Sequence, residues 1–389
     1  MGRYDVVILG GGIIGCATAW ELAKRGQSVA VVERGAIGAE ASKAAAGILS
    51  AQMDLERPGP FFELCQTSRR MYGGWVNALE RASRVPVGYH LDGILYLART
   101  KQDAERMDHR RRWQRRKGLR AERWSAQEVR RREPNAGGPI TAGFFFPREA
   151  QVDNVALMEA LAAACRKAGA ALLERTTAVR VLTRRRGGGR AVVGVQTSRG
   201  ISRAPVVVNC LGSWAPLMGV LPRPAVAPAR GQMLAFDAPK GLFRHIVMAE
   251  QAYGVQRRTG RLIVGSTVEF VGYDRRVTLE GMGKILSGFR ALVRGEALER
   301  CAFVECWAGL RPYSQDRLPI LGATPIEGLL MATGHFRHGI LLAPVTATLM
   351  AELILGRRPP VNLSPFSLSR FGKRLPPPRI FAHHPSAAL

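Results

Sequence analysis

Three glycines and one glutamate near the amino terminus have the spacing of a phosphate-binding turn. Gly10, Gly12 and Gly15 form the pattern G-x-G-x-x-G, and Glu33 follows eighteen residues after the last glycine. The first glycine permits a tight turn, the second lets the backbone approach a pyrophosphate, and the third lets a helix pack close to a strand. Glu33 is placed to accept hydrogen bonds from ribose hydroxyls. This set predicts binding of an ADP-containing dinucleotide.

The residues around these glycines predict the strand, turn, helix and strand that such a site requires. The run Val6–Leu9 is typical of a strand buried on both faces, and the segment after Gly15 predicts a helix that ends at Gly26. A second strand ends at Glu33. The start of the helix supplies free N–H groups and a positive dipole end to a phosphate. A chance glycine-rich loop is the alternative, and the order of the elements argues against it, although the motif does not separate FAD from NAD.

Composition predicts a globular protein with a strongly basic surface. The 389 residues are 47% hydrophobic, which is enough to bury the core of one large domain or of two interleaved domains. The formal net charge is +27, and arginines cluster in "HRRRWQRRKG", "VRRREP" and "RRRGGGR". These runs lack interleaved aromatic residues and known nucleic-acid-binding motifs. We therefore expect solvated faces and a hairpin tip, with no specific nucleic-acid partner.

Neither an export signal nor a membrane span is expected. A strand-like run begins at Val6, and the longest apolar stretch, "GILLAPVTATLMAELILG", is interrupted by Pro344 and Glu352. This stretch predicts a buried helix with Pro344 near its first turn. The six cysteines show no CxxC or paired Cys/His spacing, which argues against a metal site and a disulfide framework and favours a reducing cytoplasm.

Three further stretches resemble one flavoenzyme family. They are "SKAAAGILS", "CWAGLRPYSQDRLPILG" and "LLMATGHFRHGILLAPVTATLMAELILG". They are similar to signatures of the FAD-dependent D-amino acid oxidase superfamily, and most closely to those of the glycine oxidases that serve thiamine biosynthesis. The resemblance covers roughly residues 4–370. It implies an α/β protein with the glutathione-reductase-type flavoprotein fold, in which a Rossmann-like FAD-binding domain is interleaved with an antiparallel-sheet substrate domain.

The resemblance also implies how the chain is divided. The FAD-binding domain is expected to take residues 1–71, 150–221 and 305–372. The substrate domain is expected to take residues 72–149 and 222–304. The proline-rich, basic residues 373–389 are expected to form a loose tail.

Cofactor contacts implied by the resemblance are spread along the whole chain. They lie in the glycine-rich turn, in the small-residue loop after Glu33 (residues 34–52), in the middle of the chain and in the loop before the last long helix. In sequence order they are Gly10, Gly12, Ile13, Ile14, Gly15, Glu33, Arg34, Ala41, Ser42, Ala46, Gly47, Ile48, Ala178, Gly212, His335, Phe336, Arg337, His338, Gly339, Ile340 and Leu341. Related sarcosine oxidases attach FAD through a cysteine after "GLRP". This chain has no cysteine there, so we expect non-covalent FAD.

Three residues are expected to hold the substrate. A guanidinium is the best bidentate partner for a carboxylate, and Arg311 and Tyr253 align with the family's carboxylate-binding residues. Arg337 aligns with the residue whose backbone carbonyl receives the substrate amine. No acid or base residue is required, and His335 is expected to be a packed histidine. The resemblance implies oxidation of glycine or another small amine to an α-oxo acid, with release of ammonia or methylamine and reduction of dioxygen to hydrogen peroxide.

Other functions stay open on the sequence alone. A D-amino acid or sarcosine oxidase, or a dehydrogenase with another electron acceptor, belongs to the same superfamily. A flavin enzyme of tRNA wobble-uridine modification would give the basic surface a purpose, but such enzymes usually carry a fused methyltransferase domain that these 389 residues do not contain. The preferred amine and the presence of a homo-oligomer are also left open.

Overall fold

Two large β-sheets organise the chain. The computed structural model describes residues 2–219 and 225–372, so the expected tail over residues 373–389 lies outside the described residues. The strands are β1 (Val6–Leu9), β2 (Val29–Val32), β3 (Ile48–Leu49), β4 (Ile94–Ala98), β5 (Glu122–Trp124), β6 (Ala142–Phe146), β7 (Ala150–Gln151), β8 (Ala171–Leu173), β9 (Ala178–Arg186), β10 (Gly189–Thr197), β11 (Gly200–Arg203), β12 (Val206–Asn209), β13 (Val226–Asp237), β14 (Ile246–Met248), β15 (Tyr253–Gln256), β16 (Arg261–Gly265), β17 (Ala302–Ser314), β18 (Ile320–Ala323) and β19 (Leu329–Thr333).

Helices of very different length connect these strands. The α-helices are α1 (Ile13–Ala23), α2 (Ala41–Ala44), α3 (Pro60–Ser83), α4 (Lys101–Arg116), α5 (Ala126–Arg132), α6 (Asn154–Lys167), α7 (Leu279–Leu292), α8 (Gly295–Leu298) and α9 (Gly339–Ile354). Short 3-10 helices cover Gly212–Met218, Ser364–Phe366 and Leu368–Phe371. Among the described residues, no helix combines the length and apolar character needed to cross a membrane.

The first large sheet contains the amino-terminal strand at its centre. Its six strands follow the order β18-β19-β12-β1-β2-β8, and all neighbouring pairs are parallel except β18 with β19. Val6 and Ile8 pack into a core with α1, α3, α6 and α9, whereas Val7 and Leu9 pack against the three-stranded sheet β9–β11. Both faces of β1 are therefore buried, which confirms the expectation from its apolar run.

The second large sheet covers the other side of the structure. Its eight strands follow the order β17-β13-β16-β15-β14-β4-β6-β5, and only the β4–β14 pair is parallel. Helix α7 packs on one face of this sheet, and the small-residue loop packs on the other. The expected fold class is confirmed, because strands from distant parts of the chain alternate between the two sheets.

Two elements run across the predicted domain boundaries. The boundary at 304/305 lies inside β17, which pairs with β13 along its length, and the boundary at 71/72 lies inside α3. The division of the chain into domains stays a prediction.

The apolar stretch near the carboxyl end forms the buried helix α9, as expected, but the predicted start of this helix was wrong. α9 begins at Gly339, so Pro344 occupies its sixth position. Proline has no N–H to donate to the carbonyl of Ile340, and the hydroxyl of Tyr72 donates to that carbonyl instead (3.2 Å). A side-chain donor from α3 thus satisfies the group that the proline leaves free.

The basic runs lie mostly on the surface, although Arg110 of the run on α4 is buried. "RRRGGGR" forms the tip of the β9–β10 hairpin, as expected, and the other two runs lie on α4 and α5. Some of these arginines pair with acidic neighbours: Asp108 bridges Arg111 (2.9 Å) and Arg123 (3.0 Å). The charge of these runs is therefore partly neutralised on the surface.

Two helical glycines give a direct test of the packing between α1 and β1. A Cβ at Gly15 would lie 2.0 Å from the carbonyl oxygen of Gly10, whereas a Cβ at Gly74, exposed on α3, would meet no atom within 4 Å. We expect Gly15→Ala to lower the free energy of unfolding by about 1–3 kcal/mol because of overpacking. Gly74→Ala should raise it by about 1 kcal/mol because alanine favours the helix. Urea unfolding of both variants measures this, and equal effects would contradict the close packing at Gly15.

Candidate functional site

A cavity between the two large sheets collects residues from distant parts of the chain. Its walls come from the start of α1, residues 32–54, the segment after β12, strands β13 to β17, and the loop before α9. Every residue expected to contact cofactor or substrate lines this cavity except Gly15, which packs against the backbone of Gly10 behind it.

One end of the cavity presents free backbone donors. Helix α1 begins directly after Gly12, and the hydroxyl of Ser42 accepts the N–H of Ile13 (2.9 Å). The N–H groups of Gly12 and Ile14 have no acceptor among the described residues. A helix start with free N–H groups binds an anionic phosphate.

Glu33 is held in a fixed position beside these donors. Its two carboxylate oxygens accept the backbone N–H groups of Gly11 (2.7 Å) and Gly35 (2.8 Å). Each oxygen keeps further acceptor capacity, so the carboxylate can also accept ribose hydroxyls. The neighbouring Arg34 guanidinium lies over the ring of Trp214, 4.1 Å from its centroid, and both residues line the cavity.

The small-residue loop forms one wall of the cavity. Its first part forms the one-turn helix α2, and the side chains of Trp307 and Arg257 donate to the carbonyls of Ala44 (3.0 Å) and Ala46 (2.9 Å). Gly47 has a φ of +71°, and a Cβ there would lie 2.0 Å from a backbone oxygen. The loop is therefore fixed from behind and offers little but small side chains to a ligand.

The loop before α9 closes the far end of the cavity. The N–H groups of Gly339, Ile340 and Leu341 have no acceptor among the described residues, and the carbonyl of Arg337 has no donor among them. His335 contacts the hydroxyl of Thr346 (3.2 Å), and its burial lowers its pKa to about 3. His335 is thus a neutral, packed histidine.

Arg311 is a half-buried cation on the cavity wall, and no carboxylate of the described chain lies within 4 Å of it. Its guanidinium donates to the carbonyl of Thr267 (3.0 Å) and to the hydroxyl of Ser266 (2.8 Å). Burial lowers the pKa of Arg311, and the neighbouring Tyr253 opposes this effect. Glu269 also opposes the effect of burial, but it forms no ion pair with Arg311, so a desolvated guanidinium at this position suits an anionic ligand.

Arg337 adds a second guanidinium to the same end. Its side chain forms no hydrogen bond or ion pair within the described residues and lies over the ring of Phe336, 5.2 Å from the centroid. Burial lowers the pKa of Arg337 to about 10, so the group stays charged near neutral pH. Arg311, Arg337 and Tyr253, which were expected to hold the substrate, are thus brought together.

Sequence reasoning missed several lining residues. Met233 and Met248 lie on β13 and β14 and reach the cavity only through sheet pairing, which nothing in their local sequence indicates. Asp54 also lines the cavity, and its position shortly after the "AAAGIL" stretch could have identified it.

The cavity fits FAD on its own geometry. Free helix N–H groups suit the pyrophosphate, the held carboxylate of Glu33 suits a ribose, and the small side chains around Gly47 leave room for a ring system. The free N–H groups at the start of α9 can stabilise negative charge on such a ring.

Comparisons with known proteins agree with this fit. Residues 5–353 match the family described as FAD dependent oxidoreductase (DAO). A glycine oxidase of Geobacillus kaustophilus is 35% identical, over 95% of this chain and 97% of the relative. The crystal structure of glycine oxidase from Geobacillus kaustophilus superposes with a TM-score of 0.89 at 34% identity, covering 95% of this chain and 99% of that one.

A longer relative shares the same region. The bifunctional protein ThiO/ThiG of Trichormus variabilis is 36% identical over 97% of this chain, but the match takes only 57% of the relative. This chain therefore spans little more than half the length of that relative.

Gly12 tests whether a dinucleotide occupies the end near α1. A Cβ at Gly12 would meet only the Ser42 hydroxyl, at 3.2 Å, so the fold should accept Gly12→Ala with a change in unfolding free energy of about 0.5 kcal/mol or less. The same Cβ would occupy the approach of a pyrophosphate, so the purified variant should carry much less adenine dinucleotide per chain than the wild type. Wild-type dinucleotide content in this variant would contradict the assignment.

Proposed function

This chain belongs to the family of FAD-dependent oxidoreductases, and from that premise we propose that it oxidises glycine or a closely related small amino acid. The observation that carries the proposal is the half-buried guanidinium of Arg311, which lines the cavity beside Tyr253 and forms no ion pair within the described chain. A substrate carboxylate would supply the missing counterion. The names of the similar glycine oxidases support the same class of substrate.

Binding groups of the chain orient the substrate in this proposal. Arg311 and Tyr253 hold the carboxylate, and the carbonyl of Arg337, free of any donor in the described chain, accepts a hydrogen bond from the amine. Once the amine has given up a proton to solvent, bound FAD would supply the acceptor for the hydride of the α-carbon and the route by which the electrons reach dioxygen, which gives hydrogen peroxide. Water then hydrolyses the imine product to an α-oxo acid and ammonia. By resemblance to the glycine oxidases, we propose that the reaction serves thiamine biosynthesis.

The basic surface has no role in the proposed reaction. None of the arginine-rich runs lines the cavity, since Arg34, Arg311 and Arg337 are the arginines that do so among the described residues. A specific nucleic-acid partner is therefore no part of the proposal.

We expect FAD to leave the denatured protein intact. No cysteine lines the cavity near Arg311; Cys210, a lining residue after β12, is buried, and burial raises the pKa of its thiol. Acid precipitation of the yellow holoenzyme should release all FAD into the supernatant, where absorbance and chromatography identify it. Flavin colour that stays in the washed pellet would contradict non-covalent binding, and released NAD would contradict FAD itself.

Arg311→Met should separate carboxylate binding from general damage. Loss of one partner of a desolvated charge pair costs at least about 2 kcal/mol, so kcat/KM for glycine should fall at least about 30-fold. Activity on ethylamine, which has no carboxylate, should change far less.

The matched control for this variant is Arg290→Met, which removes an exposed arginine from α7. It should leave both substrates unaffected. Equal losses of Arg311→Met on glycine and ethylamine, or no loss on glycine, would remove Arg311 from the site.

A further inference from the structure

Asp54 is an unassigned acidic group at the substrate end of the cavity. Three acidic residues line the cavity within the described chain: Glu33, Glu40 and Asp54. The carboxylate of Glu33 accepts two backbone N–H groups at the phosphate end, and that of Glu40 pairs with Arg34 and Arg275. Asp54 makes no hydrogen bond through its carboxylate to any described residue. Asp54 is thus the acidic residue of the cavity walls whose carboxylate has no hydrogen bond in the described chain. The same walls carry Arg311 and Arg337, which form no ion pair with described residues.

The backbone around Asp54 is held rigidly although it forms no long helix or strand. Buried side chains of α3 and α4 donate to the carbonyls of residues 51, 52, 53 and 56, and these donors are Gln66, Arg110, Trp113 and Gln114. The N–H of Asp54 itself donates to the hydroxyl of Ser50 (3.2 Å). Such bracing positions one side chain at a fixed place in the cavity, which is the arrangement that a binding group requires.

The imidazole of His338 lies beside Asp54, and its Nε2 is also without a hydrogen-bond partner in the described chain. Its Nε2 is 4.0 Å from the Asp54 carboxylate, and the two side chains are 11% and 20% exposed. That nitrogen is buried and has no hydrogen-bond partner in the described chain, while the ring edge packs on Phe61. A buried polar nitrogen and a carboxylate that almost meet, but do not bond, leave room for a donor that satisfies both.

The cations near Asp54 do not form an ion pair with its carboxylate. Burial lowers the pKa of Arg337 and of Arg110, and the carboxylate of Asp54 opposes both effects, so both cations lie within its field. Arg110 donates to the carbonyl of Met53, and Arg337 reaches no acceptor among the described residues. Neither guanidinium forms an ion pair with Asp54 within 4 Å.

We propose that Asp54, with His338 beside it, binds the positively charged nitrogen of the substrate and makes the cavity prefer zwitterions over simple carboxylates. The inference rests on the proposed function and deepens it, because Arg311 and Tyr253 hold the opposite charge of the same molecule. The carbonyl of Arg337, the residue before His338, lies next to this pair in the chain and offers the amine a third acceptor. Substrates with a neutral group in place of the ammonium lose this interaction.

Binding to the reduced holoenzyme tests the inference without turnover. Holoenzyme reduced by dithionite under anaerobic conditions cannot oxidise glycine, so calorimetry can measure the dissociation constants of glycine and of glycolate, which has a hydroxyl in place of the ammonium. Asp54→Asn should weaken glycine binding about tenfold and leave glycolate binding unchanged or tighter. Asp54→Glu, which keeps the charge, should restore part of the glycine affinity.

Glu56→Gln is the matched control, because it removes the same charge two residues away from an exposed position that does not line the cavity. It should leave the ratio of the two dissociation constants at its wild-type value. If Asp54→Asn weakens both ligands equally, or neither, Asp54 does not bind the amine. If the wild-type protein binds neither ligand, the proposed function is wrong and this inference fails with it.

Discussion

The contact between α1 and β1 at two glycines is the constraint on which the cavity depends. With a hydrogen in place of Cβ at Gly15, the helix lies directly on the turn at Gly10, where any larger side chain would overlap the backbone. This close crossing aims the free N–H groups of the helix start at the cavity rather than at solvent. It also aligns α1 with α9 in one hydrophobic core, so the second helix start reaches the same cavity.

The rest of the site follows from the way in which the chain crosses between its two sheets. The parallel sheet supplies the phosphate end and Glu33, whereas β13, β15 and β17 of the other sheet bring Tyr253 and Arg311 to the end of the cavity that also holds Arg337. The residue sets are far apart in sequence and are united only by the pairing of long strands. The positive groups of the cavity are also divided between its ligands. The start of α1 suits the phosphate and the start of α9 suits the ring, whereas the guanidinium groups of Arg311 and Arg337 suit the substrate.

Sequence reasoning succeeded where local residues dictate local structure. The glycine spacing, the apolar β1 and the terminal Glu33 predicted a complete strand, turn, helix and strand, and family resemblance extended this to the fold. The start of α9 was mispredicted because Tyr72, distant in sequence, supplies the donor that Pro344 lacks. Met233 was missed for a similar reason, since the pairing of β13 with distant strands places it, whereas Asp54 lies close to the "AAAGIL" stretch and could have been identified from that position.

The central claim is that this cavity holds a small amino acid against FAD so that a hydride passes from the α-carbon. Anaerobic mixing of the oxidised holoenzyme with glycine tests this claim most directly, because no acceptor other than the bound flavin is present. We expect glycine to bleach the visible absorbance of the flavin and admitted dioxygen to restore it with release of hydrogen peroxide. If glycine and other small amino acids leave the flavin oxidised while NADH reduces it, the cavity does not oxidise small amino acids.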